Sequence, residues 1–309
     1  MKAHAPEHAL AGQSNLLETG WMNSRIAARL IAVAGTVLLS TATTAQSINA
    51  GDRFELQLKR HSENRSESHG ERGSSDDTDT LTERVISTSS SEMEVEYDLP
   101  AGATEKDRLI AWQYPARIRL SVGGTKTLLN AKELELRRDD FLKAGGIDQK
   151  ACGHWIFTWN AFKIECDPQS VLEIIEAFEI QPKLLADGAP FAMKGALGPT
   201  AMKCVAVSKG AQKCSVLMEL DADEVRRELA NTDVVIGEIT GKPISAEDAT
   251  KQRAATQVSG SIEVTLEADA FGLVWKRTTE VHSKQVDADG KVTTAISTAV
   301  LTRKKFRRD

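Results

Sequence analysis

Segments in which apolar and polar residues alternate recur along this chain, and they constrain its fold more than any other feature. Apolar side chains occupy every second position at residues 54–58, 93–99, 118–122 and 262–266. This period of two places all apolar side chains of a β-strand on one face. Because such segments follow one another through turn-like sequences, they predict strands connected by hairpins in an antiparallel sheet.

Helical patterns separate some of these strands. They cover residues 131–144 and 168–180, and a short third helix is predicted to begin at Asp221. The fold class is therefore α+β: a curved, half-barrel-like antiparallel sheet with two or three helices packed on one face. Residues 51–309 are expected to form one domain or two closely packed sub-domains, 51–199 and 200–309.

Four cysteines restrict the fold further. An even number of cysteines in an exported chain predicts two disulfides, for which three connectivities are possible. The pairing of sequence neighbours is favoured, because residues 208–210 predict a hairpin turn that places Cys204 opposite Cys214. The absence of a Cys-x-x-Cys spacing argues against a metal site or a redox centre. The two predicted bridges are Cys152–Cys166 and Cys204–Cys214.

The first residues predict export. Arg25 and Arg29 precede an apolar run at residues 30–39, and the small residues 43–45 follow it. This order is typical of a secretory signal peptide, here residues 1–45 with cleavage after Ala45. The apolar run is shorter than the roughly 20 residues that span a bilayer. We therefore expect a periplasmic or secreted protein without a transmembrane segment, whose true start is Met22 or Met1.

The net charge of −5 argues against a general nucleic-acid-binding protein. Residues 60–80 are polar or charged throughout. Ordering each residue costs about 1–2 kcal/mol of backbone entropy, which apolar burial cannot offset here. These residues are therefore predicted to form a disordered loop between two paired strands.

Residues 152–166 combine two cysteines, a histidine and several aromatic residues. One interpretation is a disulfide-closed strand pair, which is favoured. The other is an aromatic wall that contacts a ligand, formed by Trp155, Phe157 and Trp159 together with Phe178 of the second helix. Catalysis by Cys152 and His154 requires a free thiol, which a disulfide would remove.

The run from Cys152 to Pro168 resembles segments of uncharacterised exported proteins of Gram-negative bacteria. The hairpin-connected sheet is similar in outline to the half-barrels of periplasmic lipoprotein carriers, a likeness of fold alone. Neither resemblance supplies an active residue. The sequence contains no Gly-x-Ser-x-Gly, His-Glu-x-x-His or phosphate-binding motif. We therefore expect no catalytic residue, cofactor or metal site.

Three functions remain open at this stage. The leading hypothesis is a non-enzymatic periplasmic protein that binds a lipid, another apolar molecule or an envelope protein in a groove between sheet and helix. A second is a carboxylate-dependent cell-envelope hydrolase, since spacing alone does not reveal a carboxylate pair. A third is a scaffold or stress-response factor without a pocket. An apolar pocket would favour the first, and two facing carboxylates in a polar cleft would favour the second.

Overall fold

The computed structural model describes residues 48–67, 72–121, 124–157, 161–182 and 184–306. The predicted signal peptide lies outside these residues. In the described part, ten strands form one antiparallel sheet and four short strands form two small hairpins. The strands are β1 Arg53–Ser66, β2 Arg72–Thr88, β3 Glu92–Asp98, β4 Ala116–Ser121, β5 Lys126–Leu128, β6 Trp155–Phe157, β7 Ala161–Lys163, β8 Pro190–Phe191, β9 Thr200–Ala201, β10 Lys203–Ala206, β11 Gln212–Glu219, β12 Gln257–Ala268, β13 Val274–Val286 and β14 Val292–Lys305.

The main sheet consists of two meanders. Its strand order is β10-β11-β12-β13-β14-β1-β2-β3-β4-β5, so β14 joins the second meander to the first by pairing with β1. The sheet is open, with β10 and β5 at its edges. It takes strands from both sides of residue 200, and whether these form one domain or two stays a prediction.

The described part contains more helices than the two or three predicted. Five α-helices are present, because residues 104–110 and 245–253 carry capping side chains that begin further helices: Thr104 accepts from the Asp107 amide and Ser245 from the Asp248 amide. The helices are α1 Glu105–Ile110, α2 Ala131–Gly145, α3 Ser170–Ala177, α4 Ala222–Ile239 and α5 Ala246–Arg253. The third predicted helix is long, not short, and begins where expected, with the Asp221 carboxylate accepting from the Asp223 and Glu224 amides.

Both predicted disulfides are confirmed. Cys152 and Cys166 are bonded, and Cys204 and Cys214 are bonded and directly paired across β10 and β11. Each bridge closes a short loop, which restricts the unfolded chain. Among the described residues, no helix is long and apolar enough to cross a membrane.

One face of the main sheet, here called the inner face, packs against the helices. It carries the alternating apolar residues predicted from the sequence, and these form a single core with Leu134 of α2, Ile175 of α3 and Val225 of α4. Leu56 and Leu58 on β1 are almost completely buried. The inner face therefore provides most of the apolar burial that stabilises the fold.

The prediction of a disordered loop at residues 60–80 is wrong for the described residues 60–67 and 72–80. The strands β1 and β2 continue through it and pair from Arg53 with Arg84 to Arg65 with Arg72. Strand β1 also pairs with β14 as far as Ser66 and Thr293. Strand β1 is hydrogen-bonded to a neighbouring strand on each side, and polar side chains make contacts between the strands. One example is the 2.7 Å hydrogen bond between the Ser62 and Ser75 hydroxyls. These interactions replace apolar burial in this segment.

Candidate functional site

The strands β1, β2, β13 and β14 extend beyond their last buried positions. This extension, here called the ribbon, consists of residues 60–66 of β1, 72–79 of β2, 280–286 of β13 and 292–299 of β14. Every ribbon residue is at least partly exposed. Its inner face carries small side chains such as Ser62, Ser75 and Ser297 in register with one another. Along the same strands, the inner face therefore changes in character. It is buried and apolar in one part, and partly exposed with small side chains in the ribbon.

A cavity of about 250 Å³ lies at this change. Its floor is the inner face of the sheet, and Ala177 at the end of α3 and the segment Met193–Lys194 form its walls. Apolar side chains and small hydroxyl-bearing side chains dominate the lining. The lining residues on the sheet include Leu58, Ser62, Ser75, Ile262, Thr279, Val281, Ser297 and Ala299. The cavity therefore lies between the sheet and the end of the second predicted helix.

Arg277 on β13 forms part of the cavity wall and holds the end of α3. Its guanidinium donates to the carbonyl oxygens of Ala177, at 2.8 Å, and of Glu179. Ala177 is the last residue of α3, where backbone oxygens lack helical partners and the helix dipole is negative, and Glu179 follows just after the helix. Burial lowers the pKa of Arg277 below its ordinary value. Arg277 is therefore a partly buried cation beside the cavity.

Arg60 and two aspartates meet on the ribbon side of the cavity. Nη1 of Arg60 donates to Asp77 Oδ2 at 2.5 Å and to Asp79 Oδ2 at 2.7 Å. Burial raises the pKa of Asp79 above its ordinary value, against the lowering effect of the Arg60 charge. One guanidinium nitrogen thus holds both carboxylates, so neither faces the cavity as a free base or nucleophile.

Lys194 marks the rim of the cavity opposite the sheet. Its ammonium lies 3.5 Å from Glu228 Oε1 and 3.9 Å from Glu224 Oε1, both on α4. Burial raises the pKa of Glu228, with the nearby Lys194 acting in the opposite direction. Lys194 is exposed, and its charge is matched by the two glutamates.

The predicted aromatic wall lies elsewhere in the structure. Phe178 belongs to the core with 4% of its surface exposed, and Trp155 is half-buried on β6 beside α4, where its amide donates to Glu238. Phe157 pairs with Ala161 at the end of β6, and Trp159 lies outside the described residues. Neither Trp155 nor Phe178 lines the cavity. A ligand-binding role for these four residues stays a prediction.

Sequence reasoning missed the cavity residues, although a signal was present. Arg60 is in phase with Leu56 and Leu58, and Arg277 pairs with the inward-facing Leu301 and Leu266. A charged residue at an inward position of an amphipathic strand must find a partner in the interior or mark a cavity. Such positions identify this site from the alternation pattern alone.

A larger crevice of about 780 Å³ lies near the start of β1, and charged residues that are paired with one another line it. Arg84 contacts Glu96, Arg108 contacts Asp98, and Lys305 contacts Asp52. Beneath it, Arg303 pairs with Glu83 in the interior and stacks on the Phe54 ring. Burial raises the pKa of Glu83. These pairs leave little uncompensated charge for a ligand, so the smaller cavity is the stronger candidate.

The outer face of the ribbon carries a histidine between two acids. His61 Nδ1 lies 2.8 Å from Asp76 Oδ1, and Nε2 lies 3.1 Å from Glu63 Oε1. The hydrogen bond with Asp76 and then that with Glu63 raise the pKa of His61. Within the described ranges, no three His, Cys, Asp or Glu side chains are placed to hold a metal ion.

Comparison with known proteins gives only distant likenesses. No family model matches the chain, and no curated protein matches it. A structure of lipovitellin that describes its lipid–protein interactions matches 84% of this chain. The sequence identity is 9% and the TM-score is 0.41. An outer membrane channel from Pseudomonas putida F1 is 6% identical with a TM-score of 0.19, covering 87% of this chain and all of that one. The chain spans about a quarter of the lipovitellin chain's length.

Proposed function

We propose that this chain is an exported, periplasmic binding protein that holds the apolar part of a ligand in the cavity between the ribbon and α3. The observation that carries the proposal is the cavity itself, whose apolar floor and helical wall meet where the helices stop covering the sheet. Concave sites lined mainly by apolar groups, with a few polar groups at defined positions, are typical of small-molecule binding. In this proposal the sheet curves as a half-barrel around the ligand.

The size of the cavity restricts the ligand. A volume of about 250 Å³ is slightly below the range of about 300–1,000 Å³ typical of complete ligand sites. The cavity therefore encloses one end of a ligand. The remainder lies along the open inner face of the ribbon, where Ser62, Ser75 and Ser297 leave room close to the backbone.

Binding of a neutral naphthylamine dye, whose fluorescence rises in apolar surroundings, tests the proposal. We expect saturable binding to the purified protein with both disulfides intact. Ala299→Phe should abolish it, because the larger side chain fills the cavity from its floor. Val300→Phe is the matched control, since its side chain points to the outer face of the same strand, and it should bind the dye as the unaltered protein does.

Two results would overturn the proposal. One is the absence of saturable dye binding by the unaltered protein. The other is equal loss or equal retention of binding in Ala299→Phe and Val300→Phe while both keep their melting temperature. Because overpacking destabilises some cores by about 1–3 kcal/mol, Ser297→Phe on the more open ribbon serves as a second filling variant.

A carboxylate-dependent hydrolase is the second candidate, and one observation favours it. Asp77 and Asp79 lie together beside the cavity, and burial raises the pKa of Asp79. It ranks second because Arg60 holds both carboxylates, whereas a hydrolase needs one free carboxylate and one protonated partner. If Asp77→Asn removes hydrolysis of an envelope polymer but leaves dye binding unchanged, the hydrolase is the correct assignment.

A scaffold without a pocket is the third hypothesis, and the cavity counts against it. The cavity-filling variants distinguish ligand binding from a scaffold function. Ala299→Phe should abolish ligand binding, whereas a scaffold without a pocket would keep its function in this variant.

A further inference from the structure

Arg277 is the cation that the cavity leaves without a carboxylate partner. In the described part of the chain it forms no ion pair within 4.0 Å, and its guanidinium donates to the carbonyls of Ala177 and Glu179. The negative charge of the Glu179 carboxylate lies close enough to Arg277 to favour the charged form of its guanidinium. However, the Glu179 carboxylate lies 2.7 Å from the Lys126 ammonium, which also contacts Glu176. Arg277 therefore has no carboxylate of its own: Glu179 is shared with Lys126, and the guanidinium donates to two backbone carbonyls.

The other cations around the cavity are already matched. Arg60 contacts two aspartates, and Lys194 has two glutamates of α4 nearby. Desolvating a charge is costly unless an opposite charge or a hydrogen-bonding partner compensates it. The guanidinium also lies beside Ala177, which lines the cavity itself. A ligand group in the cavity can therefore reach the N–H groups of Arg277 that the helix carbonyls leave available.

We propose that the ligand is an amphiphile with an anionic head group, and that this head group pairs with Arg277 while the chain contacts Leu58, Ile262, Val281 and Ala299. This inference rests on the proposed binding function and names its ligand class. An anion on a guanidinium forms charge-assisted hydrogen bonds, which are the strongest of the ordinary protein hydrogen bonds. A neutral head group leaves the charge uncompensated, and a cationic head group is repelled by it.

A head-group series with one chain length tests the inference on the unaltered protein. Laurate, dodecyl phosphate, 1-dodecanol and dodecylammonium compete with the neutral dye below their micelle concentrations. We expect laurate or dodecyl phosphate to bind about tenfold or more tightly than dodecanol, and dodecylammonium to bind most weakly. The tighter of the two anions identifies the head group as carboxylate or phosphate.

Variants at Arg277 test whether this residue is the partner. Arg277→Met keeps the apolar stem and should remove the preference for anions while dodecanol affinity stays unchanged. Arg277→Lys should keep the preference in part, because the charge remains. Arg119→Met is the control: it removes an exposed arginine on β4 that does not line the cavity, and it should leave the series unchanged.

The outcomes separate this inference from the proposed function. If laurate, dodecyl phosphate and dodecanol bind with equal affinity, the inference of an anionic head group is wrong. The proposed binding of an apolar ligand is not affected by that result. Failure of the dye and of every amphiphile to bind overturns the proposed function. If Arg277→Met does not fold, the head-group series on the unaltered protein alone decides.

Discussion

The same strands have two different kinds of stability along their length. In the covered half of the sheet, Phe54, Leu56 and Leu58 of β1 are almost completely buried. In the ribbon, Arg60, Ser62 and the residues after them keep the same pairing without burial. A central strand with partners on both sides therefore stays ordered beyond the core that anchors it.

The largest expected difference between the halves concerns their ion pairs. Arg303 and Glu83 in the covered half have side-chain exposures of 4% and 6%, against 33% and 28% for Arg60 and Asp77 beside the ribbon. Glu83→Ala leaves a buried arginine unpaired and should lower the free energy of unfolding by about 4 kcal/mol. Asp77→Ala leaves Arg60 with Asp79 and water and should cost less than about 1 kcal/mol.

Urea unfolding under oxidising conditions measures both variants. The double variant Glu83→Leu/Arg303→Met is the control, because replacing a whole buried pair by apolar residues removes the unpaired charge and should recover most of the loss. Equal losses for Glu83→Ala and Asp77→Ala would contradict the distinction between the two halves.

Truncation of apolar side chains gives the next largest effect. Leu56→Ala should lower the free energy of unfolding by about 3 kcal/mol, through lost apolar burial and the cavity left behind. Ser62→Ala, six residues further along the same strand and on the same face, should change it by less than about 0.5 kcal/mol. Thermal unfolding of the pair under identical conditions provides the comparison. A large effect of Ser62→Ala would show that the ribbon is covered in solution.

Shortening the ribbon should have a moderate effect on stability and a large effect on binding. His61 and Asp76 pair directly, so residues 62–75 can be replaced by Asn-Gly, the preferred two-residue hairpin turn. We expect a loss of about 1–2 kcal/mol, the sum of a few exposed cross-strand contacts. Dye binding should weaken strongly, because Ser62 and Ser75 line the cavity. Unchanged dye affinity would place the ligand elsewhere.

The smallest effect concerns His61 on the outer face of the ribbon. Its pKa is raised above 6.5 by Asp76 and Glu63. The associated stabilisation is complete below the unfolded-state pKa and is lost as the pH rises through the folded-state pKa. An NMR titration of the histidine ring should show the raised pKa, and Asp76→Asn should lower it. An unshifted pKa in the unaltered protein would show that this part of the ribbon frays.

The sequence predicted the covered half well and the ribbon poorly, for a physical reason. Alternation of apolar residues identifies strands that bury one face, and cysteine parity with hairpin register identified both disulfides. The ribbon is ordered instead by long-range pairing, such as that of Arg60 with Ala299, which leaves no local pattern. Of the candidate site, a groove beside the second predicted helix was hypothesised from the sequence. Its residues were not, because the hypothesis rested on aromatic residues, whereas Arg60 and Arg277 are recognisable only as charged residues at inward strand positions.

The junction of the two meanders has a consequence for how the chain folds. Each meander forms from strands that are neighbours in sequence, but β1 and β14 pair across almost the whole described chain. Contacts of such high sequence separation slow folding, because a very large loop must close before they form. Until that step, β1 and β14 each present a long unpaired edge, which is a template for association with other chains. We therefore expect destabilising substitutions in β14 to increase aggregation more than the number of contacts they remove would suggest.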